Sequence, residues 1–131
     1  MSANLLHNVN CSSFKEKLSK GFSVLQQNAE FVDVTLAAEG YFMKAHQNVL
    51  ALASPYIKEM LLTTPCQHPV IFLNNVTQKL LEYILEYIYT GEVNVPRNMV
   101  DEFVALCRRL CIQGVEYCAV PSNPSHTEDT L

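Results

Sequence analysis

The chain has 131 residues, 49% of them hydrophobic and 17% charged, with a formal net charge of −4. That is the length and composition of one folded domain. It excludes a disordered chain and a strongly basic nucleic-acid binder, and it leaves apolar surface to spare for a partner. No run approaches the ~18 to 20 apolar residues of a membrane span, and the first ten residues lack the basic start and apolar stretch of a secretory signal. Five irregularly spaced cysteines, Cys11, Cys66, Cys107, Cys111 and Cys118, argue against a disulfide scaffold and for a reducing compartment.

Residues 1–12 form an N-terminal arm that could supply an extra strand. The first helix is expected over about 13–27. Phe14, Leu18, Phe22 and Leu25 recur at steps of four, four and three, which stacks them on one face. Ser12 or Ser13 offers an N-cap and Asn28 a terminus. From Phe31 to Ala38 the pattern changes to period two, with β-branched residues, and predicts a strand. Glu39-Gly40 supplies a tight turn, and Tyr41 to Lys44 returns as a second strand.

Ala45 to Ala53 reads as a short, mostly buried helix carrying Val49, Leu50 and Leu52. Ser54 and Pro55 are suited to the N-cap and first position of the next helix, which runs to about Leu62. Val70 to Leu73 is a continuous apolar run, read as a strand buried on both faces. Thr77 then caps a helix with Leu80, Leu81, Ile84, Leu85 and Ile88 inward and Gly91 just past its end. Val95-Pro96 opens a last helix with Met99, Val100, Phe103, Val104, Leu106, Cys107 and Leu110 on its apolar side, stopping at Gly114. Residues 118–131 are expected to be a disordered tail. The order predicts an α+β domain in which a helix-rich cluster flanks a small β-sheet.

The chemistry-bearing residues point to no reaction. The four glycines are scattered singly, so no phosphate-binding loop exists. Cys107 and Cys111 share a helix face, but Cys107 lies in an apolar stripe, where a buried thiol explains it better than a zinc ligand. Asp33, His46 and Ser54 form no triad by local context, because Ser54 is accounted for as a helix cap and has no glycine-flanked elbow. The chain is therefore read as non-enzymatic, with no cofactor and no metal. Asp33 nevertheless interrupts an apolar strand. Either it pairs with Lys44 or His46, or this side of the strand faces water.

Phe31-Val32-Asp33-Val34-Thr35-Leu36, Lys44-Ala45-His46, Val49-Leu50-Ala51 and Ser54-Pro55-Tyr56, followed by Tyr87-Ile88-Tyr89-Thr90-Gly91-Glu92-Val93, resemble the two hallmark blocks of a BTB/POZ domain. The resemblance covers about residues 13–114, and the BTB/POZ domain is expected over residues 13–117. The run Asp33 to Gly40 most resembles the insect tramtrack-type group of transcription and chromatin regulators. It implies the BTB/POZ fold and a nuclear module that homodimerises, with related BTB domains and co-regulator proteins as further partners. No direct nucleic-acid or membrane contact is implied.

The implied dimer interface is Phe14, Leu18, Phe22 and Leu25, supported by Val49 and Leu50. The implied dimer-centre pocket is Asp33, His46 and Gln47. Two features depart from the group. The tryptophan-bearing N-terminal segment tied to assembly beyond dimers is absent, with Leu5-Leu6-His7-Asn8 only a loose echo. Gln47 stands where many members carry a basic residue, which implies a less charged pocket. The resemblance also admits a cullin-type ubiquitin-ligase adaptor, whose surface would involve Leu61 to Pro69. Residues 121–131 bring no DNA-binding motif, so the chain is expected to be either a fragment or a BTB-only protein.

Overall fold

The computed structural model describes residues 4–116. Helix α1 spans Phe14–Gln27. The hairpin β1 (Val34–Ala38) and β2 (Tyr41–Ala45) is followed by α2 (Gln47–Ala53) and α3 (Pro55–Thr63). Then come β3 (Val70–Phe72), α4 (Gln78–Thr90), a 3₁₀ turn (Arg97–Met99) and α5 (Val100–Arg109). The sheet order is β2-β1-β3, with β1 antiparallel to β2 and parallel to β3. The observed layout is α+β, with five α-helices around a three-stranded sheet among the described residues.

The hairpin turns on two residues. Glu39 and Gly40 both take positive φ, 46° and 78°, the conformation of a turn whose twist matches the strands it joins. Ala38 is thereby set opposite Tyr41 and Leu36 opposite Met43. Val34, Leu36, Ala38, Ala45 and Ile71 share the inner face and join the core with Leu50, Ile57, Leu81, Ile84 and Leu106. Gly91 closes α4 at φ 90°, its N–H bonded to the Tyr87 carbonyl, as a left-handed C-terminal glycine should. Ser54 and Thr77 both cap as expected, accepting from the N–H of Ile57 and Leu80.

Several expectations need correction. β3 is an edge strand with one face open: Ile71 is buried, whereas Val70 and Phe72 are exposed. A continuous apolar run cannot by itself separate a doubly buried strand from an exposed apolar edge. Helix α2 buries only Leu50, and Leu52 is 89% exposed. Ser13 sits at the N-cap of α1, but its side chain makes no capping bond; its hydroxyl lies 3.5 Å from Cys11 Sγ. Helix α5 stops at Arg109 rather than near Gly114. Cys111 takes φ 59°, with its N–H on the Arg108 carbonyl and the Ile112 N–H on the Cys107 carbonyl, the paired closure of a Schellman motif. Residues 5–11 form no strand in the single chain. The expected disordered tail, 118–131, lies outside the described residues.

Candidate dimer interface

Helix α1 has a clear apolar face but contains no buried residue. Its C-terminal half is tied down. Gln26 Nε2 donates to the Lys44 carbonyl at 2.9 Å, and Phe22 meets the His46 ring edge-on at 6.0 Å, a favoured aromatic geometry. Its N-terminal half stands clear of the body, with Phe14 57% and Leu18 44% exposed. An apolar groove of about 480 Å³ lies between α1, α2 and α4. Phe14, Leu18, Phe22, Val49, Leu52 and Ile88 line it.

Four of the six residues expected on the interface therefore come together: Phe14, Leu18, Phe22 and Val49. Leu25 is half-buried further along α1 and does not line the groove. Leu50 is a correction. It is 0% exposed and belongs to the chain's own core, because α2 turns Leu50 inward and Leu52 outward. Sequence reading missed Leu52 of α2 as a surface group, and did not place the half-buried Ile88 of α4 on the groove wall. In a seven-residue helix with apolar side chains on most positions, periodicity cannot say which face is covered.

The three residues expected in a central pocket divide into two arrangements. Asp33 Oδ1 accepts the backbone N–H of Gln47 at 2.7 Å, so it caps the first residue of α2 from outside that helix. Gln47 Nε2 returns a bond to the Asp33 carbonyl at 2.9 Å. Neither Lys44 nor His46 is the partner of this carboxylate, and among the described residues Asp33 makes no ion pair. His46 is instead buried against Tyr89 and Glu30. Its Nε2 lies 2.9 Å from the Glu30 carbonyl, which can only accept, so Nε2 carries a proton. The Tyr89 hydroxyl accepts the His46 backbone N–H at 2.9 Å and donates to Nδ1 at 2.7 Å.

Burial pushes the Tyr89 phenol up to about 12, with the Asp33 charge adding to that and the bond from the His46 N–H opposing it. Tyr89 was not anticipated, although it lies four residues beyond Leu85 and eight beyond Leu81 on the buried face of α4. The network ties the turn after α1 and the N-cap of α2 to Tyr89 of α4, the three elements that wall the groove. Among the described residues no buried side-chain polar atom lacks a partner.

Two further surfaces are open. On the outer face of the sheet, Ala37 is flanked across the ladder by Phe42 and Phe72, both exposed, with exposed Val70 beside them. From Leu62 to His68, the end of α3 and the loop after it are also exposed. Cys107 is buried, and burial raises its thiol to about 11; Cys11, Cys66 and Cys111 are exposed free thiols.

Comparison with known proteins assigns this architecture. Residues 22–119 match the family model of the BTB/POZ domain, a protein–protein interaction module. The chain is 38% identical over 115 residues to Broad-complex core protein isoforms 1/2/3/4/5 of Drosophila melanogaster, covering 88% of this chain and 16% of that protein. It is 36% identical over 112 residues to Transcription activator GAGA of the same species, covering 86% of this chain and 19% of that protein. The chain thus spans less than a fifth of the length of either relative. In fold it is similar to the BTB domain of zebrafish PATZ1, with a TM-score of 0.74 at 18% identity over 82% of this chain and 89% of that one. The chain belongs to the BTB/POZ domain family, and its relatives include the Drosophila proteins with which its tramtrack-type features agree.

Proposed function

We propose that the chain is a homodimerising interaction module of the nucleus that brings transcription or chromatin regulators together. The observation that carries this is the uncovered groove: a fourteen-residue amphipathic helix with no buried residue, beside an α2 that projects Leu52 into solvent. A second copy covers such a face economically, because a two-fold axis lets the same patch serve both partners. Weighted by their exposures of 57%, 44% and 89%, burying Phe14, Leu18 and Leu52 in both copies contributes about 6–11 kcal/mol. That is comparable to the ~4–15 kcal/mol of freedom lost on association. Phe22, Val49 and Ile88 add to it.

The apolar outer face of the sheet, with Phe42, Val70 and Phe72, supports assembly beyond two copies, since it is separate from the groove and could be covered at the same time. Asp33, held by the Gln47 backbone N–H and beside a neutral Gln47 side chain, offers no basic group at this point to attract acidic co-regulator segments.

Dimerisation acts on function through linkage. Two tethered DNA-binding modules gain ~10²–10⁴ in apparent affinity with no new base contact. The test is to fuse the chain to a monomeric sequence-specific DNA-binding module and measure affinity for one site and for two suitably spaced sites. The reading requires a gain on paired sites only, and its loss in Leu52→Asp. Equal affinity for single and paired sites would overturn it.

A further inference from the structure

The chain contains two Ser/Thr-Pro dipeptides, Ser54-Pro55 and Thr64-Pro65, and the fold treats them in opposite ways. Ser54 is fully buried. Its hydroxyl donates to the Leu110 carbonyl at 2.6 Å and accepts the Ile57 N–H at 3.0 Å, so an enzyme could reach it only by unfolding the start of α3. Thr64 is exposed and follows the last residue of α3. The neighbouring Thr63 hydroxyl is tied back to the carbonyls of Glu59 and Met60 at 2.9 and 3.3 Å. Among the described residues no hydrogen bond engages the Thr64 hydroxyl. Thr64 has left the helical conformation, at φ −133° and ψ 72°, as the residue before a proline must. Pro65 to His68 is exposed throughout.

We propose that Thr64 is a phospho-acceptor that a proline-directed protein kinase reads in the folded chain. Thr64 Oγ1 attacks the γ-phosphorus of ATP, the new O–P bond forms as the β,γ-bridging bond breaks, the hydroxyl proton passes to the kinase's base, and ADP leaves. The product places a near-dianionic group at the C-terminus of α3, where the last carbonyls already carry partial negative charge. Glu59 stands five residues back, and no Lys or Arg occurs from Glu59 to Pro69. The phosphate therefore meets no basic side chain within five residues along the chain, Lys58 standing six residues back. It loosens the last turn of α3, which carries the exposed Leu62. Thr64 does not line the groove, so this site stands or falls independently of dimerisation.

The folded chain, its Thr64→Ala and Thr64→Ser variants, and a short peptide of residues 59–69 are incubated with ATP and a proline-directed kinase that phosphorylates the peptide. Intact mass and fragment mapping then read the outcome. The expected result is one phosphoryl group on Thr64 of the folded chain, absent in Thr64→Ala and kept in Thr64→Ser. The Thr64 N–H, bonded to the Met60 carbonyl at 3.1 Å, should exchange about two- to five-fold faster after modification, the factor for one unfavourable charge at a helix end. Phosphorylation of the peptide but not of the folded chain, undiminished incorporation in Thr64→Ala, or exchange that is unchanged would each overturn the proposal.

Discussion

Leu50 and Leu52 lie two residues apart on α2 and answer to different partners, so truncating each separates the fold from the interface. Leu52 is 89% exposed and Leu50 is 0% exposed. Leu50→Ala leaves a cavity among Val34, Ile57 and the other core residues, and should cost the chain about 2–5 kcal/mol of its own stability. Leu52→Ala removes a side chain that touches little within the chain, and should change that stability by no more than about 0.5 kcal/mol. Its loss falls on association. Covering an exposed leucine contributes about 1–2 kcal/mol beyond alanine, and two-fold symmetry doubles this. The dimer should weaken by about 2–4 kcal/mol, or about 30- to 700-fold in Kd. Sedimentation equilibrium reads the Kd. Urea unfolding over a range of protein concentration separates the terms, because only the association term moves with concentration. A Leu52→Ala chain that keeps its fold and a Kd within about threefold of the original would remove this face from the interface. A loss of more than ~2 kcal/mol from the chain's own stability would show that Leu52 packs internally.

Asp33→Ala should lower stability by about 0.5–2 kcal/mol, the worth of a helix cap, while Asp33→Asn, which keeps an acceptor for the Gln47 N–H, should lose less; equal losses by chemical denaturation would discount the cap. Gln47→Lys brings an ammonium to a half-exposed carboxylate and should raise stability by less than about 1 kcal/mol; a destabilised variant would show that the Gln47 bond to the Asp33 carbonyl matters more. Tyr89→Phe should cost about 1–3 kcal/mol at neutral pH by stranding the His46 N–H and Nδ1. Because the folded-state phenol is raised from 10.0 to about 12, its contribution is complete below pH 10 and is lost as pH rises toward 12. Alkaline unfolding should therefore be steeper over that window in the original chain than in Tyr89→Phe, and identical slopes would contradict the assignment. Cys107→Ser should remove no thiol from the native titre and one from the denatured titre, since Cys107 is buried with its thiol held near 11.

The legible parts of this fold are those with a strong local signal. Glu39-Gly40, Ser54-Pro55, Thr77 and Gly91 each punctuate an element through backbone chemistry that needs no tertiary context, and each does so in the structure. The α1 face was equally plain from the spacing of Phe14, Leu18 and Phe22. What periodicity could not convey was which apolar side chains the chain covers itself. Leu50 and Leu52, or Ile71 and Phe72, are chemically alike, and only packing against other elements assigns one inward and the other outward. The partner of Asp33 was hidden for a related reason. It is a backbone N–H, which every residue but proline carries, and only the approach of the hairpin to the start of α2 selects the one on Gln47. Tyr89 was within reach, since it continues the Leu81 and Leu85 stripe of α4. Its hydroxyl roles depend on three elements meeting.

Absolute mass by light scattering during gel filtration, over a wide range of dilution, tests the central claim most directly. A module whose α1–α2 groove is covered by a second copy should elute at twice 14.8 kDa and keep that mass on dilution, with a larger, concentration-dependent species if the sheet face also associates. A stable monomer of 14.8 kDa at every concentration would contradict the claim and leave the groove to a different partner.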